Sequence, residues 1–181
     1  SAVFIRLGKC NLACAWCDTD YLKFEMMRLS DILGRLQTHA ARNIIITGGE
    51  PTIQPHLSVL LDALKAQGYR LCIETNGLKP APAQIDYVAA SPKACYAQKY
   101  QQQCIEAADE VRIVADGDVL AFCAEMEQKI RATHYYLSPC EIDGQMNIYD
   151  TIRQIGLLNA RADAQVHWQL SVQTHKWAGI E

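Results

Sequence analysis

No apolar run in the 181-residue sequence approaches the roughly 20 residues that a membrane-spanning helix needs. The opening stretch SAVFIRLGKC lacks the long apolar core of a secretory signal, so the expectation is a cytoplasmic protein. Basic residues are not in excess. A formal net charge of −3 and a pI of about 5.9 imply no basic face, which argues against nucleic-acid backbones as ligands. Internal repeats, low-complexity tracts and long linkers are also lacking. The expectation is therefore one domain over residues 1–181, large enough to bury a real core. With 50% hydrophobic and 20% charged residues, the composition is that of an ordinary globular chain.

Cysteine, in contrast, is plentiful: there are eight, at 10, 14, 17, 72, 95, 104, 123 and 140. A disulfide framework suits short secreted chains, whereas this one has periodic α and β segments. Cys72 in RLCIET and Cys123 in LAFCAEM have apolar neighbours and read as packing residues. Cys95 and Cys104 flank a polar stretch and receive no role.

Apolar strand-like runs alternate with helical patterns. Strands are expected at 2–7, 43–47, 70–75, 85–91, 110–115, 134–138 and 165–172. Helices are expected in DILGRLQTHAA after a Ser30 cap, in HLSVLLDALKAQG up to Gly68, in DVLAFCAEMEQKI and in NIYDTIRQIGLLNA. This order predicts an α/β fold with a parallel sheet joined by right-handed crossovers. The chain is short for a complete eight-fold barrel of about 250 residues. The expected architecture is an incomplete, TIM-like barrel of about six to seven mostly parallel strands with helices outside. The unusual segments (the cysteine loop, TGGEP, ETNG, SPK, SPCE and QTHK) all follow strands, where α/β folds place their active face.

Cys10, Cys14 and Cys17 form a C-x-x-x-C-x-x-C loop directly after the first strand. Three readings are open. Positions i, i+4 and i+7 also mark one face of a helix, so the thiols could be core residues. A structural zinc site wants four closed ligands, and no second C-x-x-C pair supplies them. Three thiolates can instead hold an iron–sulfur cluster with one iron open to an outside ligand, and a loop on the sheet rim favours that reading.

With TGGEP (47–51) after the second strand, the loop resembles the radical S-adenosylmethionine (SAM) superfamily. Within it the closest resemblance is to the 7-carboxy-7-deazaguanine synthase family of the queuosine and 7-deazapurine pathway. FIRLGKCNLACAWCDT, ITGGEP, IETNG, SPK and LSVQTHKWAGIE carry it, with CDT and QTHK the discriminating pieces. The resemblance implies a [4Fe–4S] cluster on Cys10, Cys14 and Cys17. It implies SAM along Trp16 and Asp18, at Gly49 and Glu50, at Ser91 and Lys93, and at Ser138, Pro139, Cys140 and Glu141. It implies Mg²⁺ on Thr19, and a pterin substrate contacted by Arg6, Thr47, His175 and the terminal Glu181. From the residues alone, Arg6 reads as a surface position, Thr19 as a turn former, His175 as a partner of a backbone carbonyl and Glu181 as a frayed end. Further expectations from the family are an external flavodoxin-like or ferredoxin-like one-electron reductant and a homodimer.

The implied reaction is a radical one. SAM, cleaved reductively, gives a 5′-deoxyadenosyl radical that takes hydrogen from C6 of 6-carboxy-5,6,7,8-tetrahydropterin. The ring contracts with loss of ammonia to 7-carboxy-7-deazaguanine, and SAM is regenerated. Two departures stand out. The family's glutamine- and glutamate-containing segment before the first strand is not in this sequence. Leu137-Ser138-Pro139 also stands where relatives often have Leu-Gln-Pro. Two rivals are a glycyl-radical-enzyme activase, which would dock a protein partner and consume SAM, and a non-enzymatic zinc-binding module.

Overall fold

The structure is a computed structural model and describes residues 1–172. It divides into two compact units, one from Ser1 to Ala89 and one beginning at Ala90. In the first, β1 (Ala2–Leu7), β2 (Asn43–Gly48) and β3 (Arg70–Thr75) pair in parallel, with Arg6 opposite Thr47 and Ile45 opposite Cys72. Parallel strands need long crossovers, and α1 (Leu29–Leu36) and α2 (Leu57–Ala66) lie in the two that join them. Strand alternation sorts the side chains. Ile44, Ile46, Leu71 and Ile73 are fully buried in one cluster with Leu36, Leu57, Leu60, Leu61 and Leu64, and Val3, Ile5 and Leu7 pack against it. The opposite face carries Phe4 and Arg6 of β1, Ile45 and Thr47 of β2, and Cys72 and Glu74 of β3. One face therefore builds the core, while the other is left for chemistry. β4 (Tyr87–Ala90) sits at the unit boundary.

The second unit holds α3 (Ala97–Gln102), β5 (Glu110–Ala115), α4 (Leu120–Lys129) and β6 (His134–Pro139). A two-strand hairpin of β7 (Glu141–Ile142) and β8 (Gln145–Met146) follows, then α5 (Ile148–Asn159) and β9 (Trp168–Leu170). β6 pairs in parallel with β5 on one side and β9 on the other. Val111, Ile113, Leu137, Leu158, Met126 and Trp168 are fully buried. The Trp168 indole N–H donates to Glu127 Oε2 at 3.0 Å, and Arg161 pairs with Oε1 of the same carboxylate. That arrangement satisfies the polar atoms which the tryptophan and glutamate bring into the core.

Several expectations are corrected. Ser30 does not cap α1: it lies inside the helix, its hydroxyl donates to Asp31 Oδ1 at 3.2 Å, and Arg28 flanks the start. α1 also stops at Leu36, where Thr38 Oγ1 donates to the Arg35 carbonyl at 2.8 Å, and does not run on to Ala41. The last strand shrinks from 165–172 to Trp168–Leu170. Cys123 is fully buried, and burial pushes its thiol pKa up. Cys72 is only half-buried and lies on the face away from the core cluster. The hairpin turns on Asp143 and Gly144, both in left-handed backbone (φ 51° and 77°), a Asp-Gly combination that suits a two-residue turn.

Candidate active site

The segment from Gly8 to Arg28 contains no helix, so the three loop cysteines do not share a helix face, and Cys17 is exposed. The packing reading of the loop fails on that ground. Two backbone contacts shape its ends: Lys9 N donates to the Tyr21 carbonyl at 2.8 Å, and Cys17 N to the Cys14 carbonyl at 3.1 Å. Lys9 adopts left-handed backbone (φ 63°), which turns the chain sharply out of β1. The Leu12 amide lies 3.4 Å from Cys10 Sγ. Burial holds the Cys10 thiol above its ordinary pKa; the Leu12 amide opposes this, and the charges of Glu50 and Cys17 add to it. Among the described residues, no set of three or more His, Cys, Asp or Glu side chains stands in metal-ligating geometry, which includes the closed four-ligand set of structural zinc. What fits a cluster is the donor set: three thiols in one irregular loop, none in a disulfide.

The TGGEP turn is fastened to this loop through its backbone. Gly49 N donates to the Leu7 carbonyl at 2.7 Å and Glu50 N to the Lys9 carbonyl at 2.9 Å, while Gln54 Nε2 donates to the Gly8 carbonyl at 2.6 Å. Two positions demand glycine. Gly48 has φ +112°, and a Cβ on Gly49 would lie 1.9 Å from the Lys9 carbonyl oxygen. Gly49→Ala is accordingly expected to lower the thermal unfolding midpoint by roughly 5–10 °C, the two backbones having to separate. An unchanged midpoint would show that the turn and the loop do not pack this closely.

Glu50 was expected at the methionine end of SAM. Its carboxylate is 1% exposed and is held by protein donors. Oε1 accepts from Thr52 N at 3.0 Å, Thr52 Oγ1 at 2.6 Å and Thr75 Oγ1 at 2.7 Å, and Oε2 accepts from Asn76 N at 2.7 Å. Asn76 then reaches the cysteine loop, donating through Nδ2 to Asn11 Oδ1 at 2.7 Å. One buried carboxylate thus joins the ends of β2 and β3, and an asparagine pair extends the join to the loop. This gives Glu50 a positioning role that sequence reasoning did not assign, and Asn11, Thr75 and Asn76 were likewise missed. ETNG was the available signal, but its partners lie in other segments.

Arg6 and Thr47 stand side by side on adjacent strands, and Thr47 Oγ1 donates to Glu74 Oε2 at 2.7 Å. Trp16 and Thr19 are half-buried in the loop and Asp18 is exposed. In the second unit, Lys93 Nζ donates to Ser91 Oγ at 2.7 Å. Ser138 is 3% exposed, and among the described residues its Oγ has no hydrogen-bond partner, an orphaned hydroxyl that fits a ligand contact. Pro139 and Cys140 are buried and Glu141 is exposed. Asn147 clamps this strand end: Oδ1 accepts from Cys140 N at 2.7 Å while Nδ2 donates to the Ala115 carbonyl at 2.7 Å. His175 and Glu181 lie outside the described residues.

Residues 4–96 match the radical SAM superfamily. The chain is 83% identical over 180 residues to the 7-carboxy-7-deazaguanine synthase of Neisseria meningitidis serogroup B, covering 99% of this chain and 85% of that protein. To the synthase of Haemophilus influenzae it is 57% identical over 180 residues, with the same coverage. The crystal structure of QueE from Escherichia coli matches it with a TM-score of 0.65 at 26% identity, covering 95% of this chain and 85% of that one. The fold expectation is met: this is an α/β chain with a seven-strand parallel sheet, a partial barrel like that of QueE.

Proposed function

The chain belongs to the radical SAM superfamily and, within it, to the 7-carboxy-7-deazaguanine synthase family, and from that membership we infer that it carries out the family's ring contraction in queuosine biosynthesis. The observation that carries this reading is the 83% identity over nearly the entire chain. The substrate is 6-carboxy-5,6,7,8-tetrahydropterin and the products are 7-carboxy-7-deazaguanine and ammonia. Residues 1–181 are read as one domain because the similarity to the Neisseria meningitidis synthase runs over 99% of the chain, through both compact units.

The family implies a [4Fe–4S] cluster and SAM. Cys10, Cys14 and Cys17 would hold the cluster. Trp16, Asp18, Gly49, Glu50, Ser91, Lys93 and Ser138 to Glu141 would form the SAM site, in which the orphaned Ser138 hydroxyl offers a partner to the ligand. When bound, cluster and SAM together supply the one-electron cleavage that yields a carbon radical able to take hydrogen from C6. This chain's residues do the rest. Arg6 presents a fork of donors suited to the substrate carboxylate. Glu50, Asn76 and Asn11 keep the cysteine loop and the glycine turn in fixed register, so a ligand spanning both meets a rigid wall. Thr19 would hold Mg²⁺, with substrate and water oxygens completing its coordination. His175 and Glu181 would complete the substrate contacts. A flavodoxin-like or ferredoxin-like reductant and a homodimer complete the reading.

Ammonia release, followed by a coupled dehydrogenase assay under anaerobic conditions, tests this function. It should require substrate, SAM and reductant together, and many ammonia molecules should appear per SAM supplied. Stoichiometric loss of SAM without ammonia would instead fit an activase. Thr19→Ala is expected to abolish the response of this rate to added Mg²⁺ while iron and sulfide content stay unchanged. A full magnesium response in that variant would remove the Thr19 assignment.

A further inference from the structure

The side of α5 that faces away from the core is apolar. Thr151, Gln154 and Leu158 are its buried residues. At 3.6 residues per turn, Tyr149, Ile152, Arg153 and Gly156 fall on the opposite side. An amphipathic helix keeps that side polar. Here Tyr149 is 86% exposed and Ile152 49%, with Leu157 at 46% along one edge. A Cβ on Gly156 would meet nothing within 4 Å, so the glycine leaves an open notch in the ridge. Tyr149 and Gly156 are seven residues apart, two turns or about 10 Å along the axis. A knob and a hole therefore stand on one ridge.

This face is complementary to itself. Across a twofold axis, residue i of one copy meets j of the other and j meets i. With two α5 helices antiparallel, seating Tyr149 of one copy on Gly156 of the other seats the second tyrosine on the first glycine. The same register brings Ile152 of the two copies together beside the axis. It also brings Asp150 of each copy within one turn of Arg153 of the other, because both lie on the same flank of the ridge. Within one copy, Arg153 Nε and Nη2 donate to Asp150 Oδ1 at 3.1 and 2.7 Å, and Gln154 Nε2 donates to Oδ2 at 2.8 Å. A guanidinium has five N–H donors and a carboxylate about four acceptor sites, so both keep capacity for a second partner. The two copies thus present opposite charges to each other on either side of an apolar centre.

We propose that the outer face of α5 is where a second copy of this chain docks, as an antiparallel helix pair with Tyr149 of each copy in the Gly156 notch of the other. The proposal rests on the homodimer reading given above and names its surface. Tyrosines seated in pockets are among the side chains on which interfaces depend most. The notch also lets the two helix backbones approach closely.

The test is sedimentation of the reconstituted full chain over a range of concentrations, with circular dichroism to confirm that each variant is folded. Tyr149→Glu is expected to raise the dimer dissociation constant roughly 30-fold or more. Gly156→Gln should weaken the dimer as well while leaving the helical signal intact, since the added side chain meets nothing in its own copy and glutamine is the better helix former. Arg153→Asp should weaken it by setting like charges against each other, and the double variant Asp150→Arg/Arg153→Asp should recover most of the loss. A photoreactive benzophenone side chain at position 149 should attach to the peptide of the other copy that contains Gly156. A dimer that tolerates both Tyr149→Glu and Gly156→Gln, or a cross-link that maps elsewhere, would overturn the proposal and leave the homodimer reading standing. A parent chain that stays monomeric at 100 µM, about the weakest association such an interface would show, would overturn both.

Discussion

Replacing Cys14 by alanine is expected to abolish the four-iron signal after anaerobic reconstitution with iron and sulfide, and to reduce turnover to background. A cluster with three protein ligands has no spare one, and a methyl group cannot replace a thiolate. The loop itself should survive the change. Its shape rests on Lys9 N to the Tyr21 carbonyl, Glu50 N to the Lys9 carbonyl and Asn76 Nδ2 to Asn11 Oδ1, none of which uses the Cys14 side chain. Even the turn at Cys14 is held through its carbonyl, which accepts from Cys17 N. The unfolding midpoint of the metal-free variant should therefore stay within roughly 2 °C of the parent. Loss of signal without loss of fold is the expected pattern. An iron–sulfur signal that persists unchanged means the thiols have been assigned to the wrong chemistry.

Glu50→Ala is expected to lower the unfolding midpoint by roughly 10 °C. Four donors converge on this carboxylate, from Thr52 (twice), Thr75 and Asn76. A hydrogen bond to a charged group contributes about 1.5–3 kcal/mol, and each buried donor left unpaired costs about 1–3 kcal/mol. These contributions overlap and water would enter the hole, so a net loss of about 3–5 kcal/mol is a fair expectation. Glu50→Gln should recover only part of it. Its single carbonyl oxygen can still accept, but its amide N–H₂ would face other donors. If Glu50→Ala keeps its midpoint and loses only SAM affinity, Glu50 is a ligand contact and not the clamp described above.

The strands were legible where composition and periodicity agreed. NIIIT and EVRIVA are short β-branched runs closed by glycine or aspartate, and β2 and β5 fall on them within one residue. Gly68 ended α2 as expected, in left-handed backbone at φ +77°. α3 was missed because AQKYQQ carries a single buried residue, Tyr100, and so shows no apolar stripe. Ser30 misled because a serine before an apolar run signals a cap only if its hydroxyl turns to the backbone. Here it bonds Asp31. The motifs were legible as blocks, but their internal wiring was not. Glu50 is joined to Thr75 and Asn76, and Asn76 to Asn11 across most of the first unit, and no local pattern records such pairings. The bond between Thr47 and Glu74 was hidden for the same reason: it exists only once β2 and β3 are paired.

The measurement closest to the central claim is the mass of the product formed when the reconstituted chain is given 6-carboxy-5,6,7,8-tetrahydropterin, SAM, Mg²⁺ and a one-electron reductant without oxygen. The account predicts 7-carboxy-7-deazaguanine, short of the substrate by one ammonia, with SAM still present at the end. Unchanged pterin, with SAM either untouched or spent, would contradict it.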